Sequence, residues 1–162
     1  MQDVYVLLGS NLGDRLALIS RATSMIEIEI GEVVARSALY ETASWGNTDQ
    51  PDFINQALQL RTNLSAQEVL EKSLGIETTL GRQREEKWGS RTIDIDLLFY
   101  GSSVINESNL VIPHPHLHER AFALIPLSEV APELIHPIFG QSVSVLCRNL
   151  EDRLSVKRIN NP

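Results

Sequence analysis

Cysteine is almost missing from this chain: a single residue, Cys147, stands among 162, so no internal disulfide can form and a reducing, cytoplasmic setting is the default expectation. Long apolar runs are missing too, and none approaches the roughly 20 residues that span a bilayer. The start, MQDVYVLLGSNLGD, has neither the basic region nor the small-residue cleavage site of a signal peptide. There is no internal repeat, low-complexity tract or Pro/Gly/Ser-rich linker, which excludes solenoids and strings of domains. Positive charge is scarce: 14 Lys and Arg face 21 Asp and Glu, a net charge of -7 that repels a phosphate backbone and argues against a nucleic-acid partner. Neither G-x-x-x-x-G-K-[ST] nor G-x-G-x-x-G occurs, so any phosphate must be held by side chains and metal. What remains is the balance of a soluble globular protein, 43% hydrophobic and 22% charged, with the length of one compact domain. Residues 1–150 read as that domain and residues 151–162, EDRLSVKRINNP, as a loosely held tail.

Val4, Val6 and Leu8 alternate with Tyr5 and Leu7 in a first strand, ended by Gly9 and a Ser10/Asn11 pair suited to capping a helix. Leu12, Leu16, Ile19, Thr23, Ile26 and Ile30 then step by four and three, as along one helical face. A second strand, VVARSALYET, and a third, FINQALQLRT, flank the loop ASWGNTDQPD. Ser65 and Glu68 form a capping box for a helix through Leu80, with Gly81 as its stop. TIDIDLLFYG alternates as a fourth strand, and short helices are expected near Ala121 to Val130 and Ser142 to Leu150. Strand, helix, strand, strand, helix, strand is the order of an α+β ferredoxin-like sandwich: an antiparallel sheet with helices on one face and the other face free for a site. On the third strand Ile54, Leu58 and Leu60 are expected to face the helices and Phe53, Asn55, Ala57 and Gln59 to face away. On the fourth, Ile93, Ile95, Leu97 and Phe99 are expected to face in, with Asp94 and Asp96 away.

Asp94 and Asp96 project from one face with Cα atoms roughly 6.5 to 7 Å apart. Oxygen ligands at that span suit a hard cation, or two bridged by phosphate oxygens, the usual way to hold Mg²⁺. Alone, an Asp-x-Asp pair is more often a solvated strand edge. Like charges flanked by Ile93, Ile95, Leu97 and Leu98 are costly, however, unless a cation offsets them. Just upstream, Arg82, Arg84, Lys87 and Arg91 gather four of the fourteen basic residues between Gly81 and Arg91. Beside a carboxylate pair these read less as a solvated loop than as groups that close on a polyphosphate, with Trp88 excluding water. His114, His116 and His118 alternate in PHPHLHER; a zinc site lacks its usual spacing and cysteine ligands, and one or two of these histidines donating with Arg120 to phosphate oxygens is the favoured reading. His136 is expected to pack or cap a turn. Phe53 and Phe122 are candidate walls for a flat ring, although periodicity alone makes them core, and Asn55 can read a heterocycle's edge. Cys147 reads as a buried small hydrophobe.

GSNLGDR from Gly9, DQPDFIN from Asp49, LGRQREEKWGSRTIDIDLLFYG from Leu80 and IPHPHLHERAFALIPLSEVAP from Ile112 together resemble the 6-hydroxymethyl-7,8-dihydropterin pyrophosphokinases of folate biosynthesis, from about Val4 to about Leu150. The resemblance implies transfer of the diphosphate of ATP to the hydroxymethyl group of a reduced pterin, releasing AMP. It implies Asp94 and Asp96 as ligands of two Mg²⁺ ions, Arg82 and Arg91 stabilising the transferring group, and Arg84 and Trp88 in a loop over ATP. It further implies His114 and Arg120 on the phosphates, Glu77 and Leu97 near the nucleotide, Phe53 and Phe122 sandwiching the pterin, and Asn55 with Thr42 to Trp45 reading its edge. Small molecules would be the partners, with no membrane and no obligate protein. Phe53 departs from the Tyr frequent in that family, and Trp45 from an aliphatic residue. Two rival classes are a non-catalytic module binding RNA or a small regulator through an open sheet face, which the net charge of -7 opposes, and a zinc hydrolase built on His114, His116 and His118.

Overall fold

Each apolar stretch finds its cover on one of two sheet faces. The structure, a computed structural model, describes residues 1–43, 51–81, 92–151 and 155–159. The elements are β1 (Gln2–Ser10), α1 (Arg15–Glu29), β2 (Glu32–Arg36), β3 (Tyr40–Thr42), β4 (Phe53–Thr62), α2 (Ala66–Thr79), β5 (Asp94–Tyr100), β6 (Ile105–Glu107), β7 (Leu110–Ile112), α3 (Ala121–Val130), α4 (Val143–Arg148) and β8 (Val156–Arg158). The main sheet runs β5-β1-β4-β3-β8 with β2 also on β4, and every pairing in it is antiparallel. β6 and β7 form a separate two-stranded sheet.

Val4, Val6 and Leu8 of β1, Ile54, Leu58 and Leu60 of β4, and Ile95 and Leu97 of β5 pack against Leu18, Ile19, Ala22 and Ile26 of α1 and Val69 and Ile76 of α2. α2 begins at the expected capping box: the Ser65 hydroxyl accepts from Glu68 N–H, and Ser65 N–H donates to the Glu68 carboxylate. It ends before Gly81, whose φ of 92° is one that L side chains avoid.

The second face is not free. Tyr5, Leu7, Ala57, Leu98 and Phe99 form another buried cluster with Leu124 and Leu127 of α3 and Val143 and Leu146 of α4, so helices cover both faces. The cause lies in β1, where Val4 to Leu8 are apolar without interruption and both sides must be removed from water. Phe99 belongs to this second cluster rather than the first: the β1–β5 register jumps from Val6↔Leu97 to Tyr5↔Phe99, and the extra residue turns both Leu98 and Phe99 to the same side.

Other departures are local. The expected second strand breaks into β2 and β3 at Ser37, whose hydroxyl accepts from Ala57 N–H at 2.9 Å. Asp14, not Ser10 or Asn11, caps α1, and Leu12 and Leu16 are exposed. Within the expected tail, Val156–Arg158 pairs with β3 as β8. Cys147 is half-buried against the second cluster, and no helix among the described residues is long and apolar enough to cross a membrane.

Candidate functional site

α3 and α4 cover only part of the second face. Beyond Leu7 the residues pointing that way change from apolar to polar, and an open cleft is lined by Leu7, Gly9, Thr42, Ala43, Phe53, Asn55, Asp94, Asp96, Arg120 and Phe122. Strand register explains the gathering. Gly9 pairs with Asn55 on one side and Asp94 on the other, and Leu7 with Ala57 and Asp96. Residues opposite one another share a face, so Asn55 and Asp94 flank Gly9 at two strand spacings, about 10 Å apart. Phe53, two residues from Asn55, and Phe122, from the first turn of α3, supply the aromatic sides.

Gly9 is required by packing. A Cβ there would lie 2.7 Å from Asn55 Nδ2, in the space that lets Nδ2 donate to the Leu8 carbonyl at 3.1 Å. That bond fixes the amide with its oxygen left over: among the described residues, Asn55 Oδ1 is buried without a hydrogen-bond partner, as is Thr42 Oγ1. Buried unpaired oxygens are uncommon because each costs free energy. Two on one cleft wall between aromatic residues are complementary to a flat ligand carrying N–H donors.

Asp94 and Asp96 stand half-buried on β5. Arg120 immediately precedes α3, and its guanidinium carbon lies 5.5 Å from the Phe122 ring centre. His114 has its pKa lowered to about 4, first by burial and then by the positive charges of Arg120 and His116, with Asp94 opposing. Its Nδ1 accepts from His116 N–H at 3.3 Å, so the neutral ring carries its proton on Nε2 and is a donor there.

The remaining histidines separate. His116 and His118 each approach Glu119 at 3.5 Å, and His118 lies edge-on to Phe139. His136 is buried, stacked on Phe139, and accepts from Ile138 and Phe139 N–H, as a packed turn residue does. No group of three His, Cys, Asp or Glu among the described residues could hold a metal ion, which removes the support for a histidine zinc site.

Leu97 is buried against α1 and α2, and Glu77, 2% exposed, accepts Ile95 N–H at 2.7 Å. Neither is among the residues lining this cleft; Glu77 straps β5 between its two aspartates. Trp45, Arg82, Arg84, Trp88 and Arg91 lie outside the described residues. Sequence reasoning missed Gly9 and Leu7 as lining residues and Glu77 as a strap, whereas Ala43 lies within the expected edge-reading segment Thr42 to Trp45. For Glu77 the signal was a carboxylate on the buried stripe Val69, Ser73, Ile76, Glu77 of α2.

Comparison with known proteins finds relatives over most of the chain. Residues 5–132 match the family model described as 7,8-dihydro-6-hydroxymethylpterin-pyrophosphokinase. A protein of Methylorubrum extorquens named 2-amino-4-hydroxy-6-hydroxymethyldihydropteridine pyrophosphokinase is 46% identical over 144 residues, 88% of this chain and 90% of that protein. One of the same name from Aquifex aeolicus is 43% identical over 139 residues, 86% of each. A crystal structure of Plasmodium falciparum HPPK-DHPS shares the fold with a TM-score of 0.71 at 17% identity, over 91% of this chain and 43% of that one. This chain therefore spans less than half the length of that solved structure.

Proposed function

The chain belongs to the 7,8-dihydro-6-hydroxymethylpterin pyrophosphokinase family, and from that membership we propose how its own residues carry the reaction. It is an ATP-dependent diphosphotransferase of folate biosynthesis: the β,γ-diphosphate of ATP passes to the hydroxymethyl group of 6-hydroxymethyl-7,8-dihydropterin, giving AMP and the pterin diphosphate. The observation that carries the residue assignment is the register Asn55–Gly9–Asp94, which sets a ring-reading amide and a carboxylate strand side by side on one cleft.

The pterin lies between Phe53 and Phe122, with its edge on Asn55 Oδ1, Thr42 Oγ1 and the backbone near Ala43. Its N–H groups satisfy the two oxygens that are otherwise unpaired, and this recovers the cost of burying them. Trp45 completes the edge-reading segment.

Asp94 and Asp96 fit Mg²⁺, which is commonly bound through one or two carboxylates plus substrate phosphates rather than a full protein cage. Held there by Asp94 and Asp96, two such ions would offset the triphosphate charge and make the pterin hydroxyl more acidic. The hydroxymethyl oxygen forms a bond to the β-phosphorus, the bond from that phosphorus to the α-phosphate oxygen breaks, AMP departs with that oxygen, and the hydroxyl proton passes to solvent water. His114 Nε2–H and the Arg120 guanidinium donate to phosphate oxygens, and Arg82 and Arg91 stabilise the transferring group. Arg84 and Trp88 contact ATP, Leu97 lies near the nucleotide, and Glu77 acts there through the backbone of β5. Positioning and charge stabilisation suffice for such a transfer.

The strand order β5-β1-β4 with β2 and β3 beyond it supports a ferredoxin-like core in residues 1–150, on which α3 and α4 cover the second face. AMP release from ATP and Mg²⁺, with and without the pterin, in wild type and Asp96→Ala, tests the whole reading. Pterin-dependent AMP that disappears in the variant is expected. Release of ADP would overturn diphosphoryl transfer, and turnover unchanged by Asp96→Ala would overturn the metal role.

A further inference from the structure

β1 ends at Ser10, and both Ser10 and the following Asn11 are completely buried polar residues. They neither line the cleft nor cap the helix that follows. The Ser10 hydroxyl donates to the Thr92 carbonyl, and Asn11 Nδ2 donates to the Pro51 carbonyl at 3.2 Å. Thr92 stands two residues before Asp94, and Pro51 two residues before Phe53. Both carbonyls lie just outside the sheet, because β5 begins at Asp94 and β4 at Phe53. The ladders stop there as well: β1 pairs with β5 only as far as Gly9↔Asp94 and with β4 as far as Ser10↔Ile54. One dipeptide thus sends one side chain to the entry of each site strand. Arg15 reinforces the Pro51 side, donating to the Asp52 carbonyl at 2.7 Å and to Glu41 at 3.0 Å.

We propose that Ser10 and Asn11 are a pair of positioning residues that seat the two halves of the site separately, Ser10 the carboxylate strand and Asn11 the ring strand. The inference rests on the assignment of Asp94 and Asp96 to Mg²⁺ and of Phe53 and Asn55 to the pterin. Neither residue needs to touch a substrate. The transfer requires the hydroxymethyl oxygen and the β-phosphorus to meet in line, and a misplacement of about 1 Å costs about 100-fold in rate. A lost bond at Thr92 loosens the strand at Asp94, and one at Pro51 loosens it at Phe53, while the ladders of β1 keep the sheet together.

The test is a crossed comparison of the full chain in wild type, Ser10→Ala and Asn11→Ala. Three quantities are read: turnover at saturation, the Mg²⁺ concentration for half-maximal rate, and pterin affinity by calorimetry without nucleotide. Ser10→Ala is expected to raise the Mg²⁺ requirement and lower turnover, each by about 10-fold or more, with pterin affinity within about 2-fold of wild type. Asn11→Ala is expected to weaken pterin binding by about 10-fold with the Mg²⁺ requirement unchanged. Asn11→Asp, which sets an oxygen against the Pro51 carbonyl at nearly equal volume, should follow Asn11→Ala, and Ser10→Cys should follow Ser10→Ala in weaker form; these two serve if an alanine variant does not fold. Equal losses in all three quantities for both positions, or no change in any, would overturn the pairing. Asp96→Ala run alongside keeps the failures apart: if it leaves the Mg²⁺ requirement unmoved the site assignment is wrong, whereas if it abolishes turnover while the two positions behave alike, only this inference fails.

Discussion

The two faces of β1, β4 and β5 are made by the same strands and end differently. Toward α1 and α2 the apolar residues continue from Val4 to Leu8, from Ile54 to Leu60 and from Ile93 to Leu97, and water is excluded along the whole length. Toward α3 and α4 the apolar surface stops at Leu7, Ala57 and Leu98, after which Gly9, Asn55, Asp94 and Asp96 take over. Two of the three buried unpaired side-chain oxygens among the described residues, on Thr42 and Asn55, lie at that boundary. One face therefore supplies the rigidity, and the other is rigid for half its length and chemically open for the rest. Polar groups are held accurately because their strands are clamped from behind.

Substitutions at matched depths can break this contrast. The largest effect is expected from Phe99→Ala, since Phe99 is fully buried and sits where the second face is still packed. A loss of about 3–5 kcal/mol in unfolding free energy is expected by chemical denaturation, and a loss under about 1 kcal/mol would show that α3 and α4 are mere lids. Asp96→Ala, farther along the same strand, should reverse the pattern: turnover falls by about 100- to 1000-fold while pterin affinity and melting temperature stay near wild type. Weakened pterin binding with turnover intact would refute the metal role.

Gly9→Ala tests the boundary itself. The added methyl meets Asn55 Nδ2 at 2.7 Å and must displace that amide, so pterin affinity should drop by about 10-fold with a smaller change in the Mg²⁺ requirement.

The smallest effect expected is a pH dependence at the packed end. Burial, with a minor contribution from His118, lowers the pKa of His136 below its usual 6.5. The unfolded chain then takes up a proton more readily than the folded one, so the contribution to stability is full above the ordinary histidine pKa and is lost as pH falls from there toward the folded value. Phe99 and Phe139 pack against this ring, and His118 is the charged group that acts on it. His136→Phe should flatten the melting-temperature profile below pH 6.5; an unchanged slope would assign it to other groups.

Local signals were the ones the sequence carried well. β4 and α3 fall where their patterns indicated, Ser65 and Glu68 make their capping box, and the alternation of Asp94 and Asp96 with isoleucines placed both carboxylates on the cleft side. What escaped depends on pairing between distant segments. The extra residue at Leu98 arises only when β5 lies beside β1 and turns Phe99 to the other face. The cover from α3 and α4 is written in the unbroken apolar run of β1, although the element order predicts a sheet with one face free. Ser10 and Asn11 suit a helix cap by type, yet Asp14 takes that place because its carboxylate reaches Ala17 N–H. That leaves Ser10 and Asn11 for partners 82 and 40 residues away along the chain.

Gly9 between Asn55 and Asp94 also acts as a ruler. Backbone hydrogen bonding sets strand spacing within narrow limits, so the backbones that carry the ring-reading amide of Asn55 and the carboxylate of Asp94 stay about 10 Å apart whatever occupies the cleft. A synthetic ligand joining a pterin-like ring to an anionic, metal-seeking group faces a fixed tether requirement: a stiff connector cut to that gap keeps nearly the full chelate advantage, a shorter one forfeits an anchor, and a slack one spends the advantage on its own disorder.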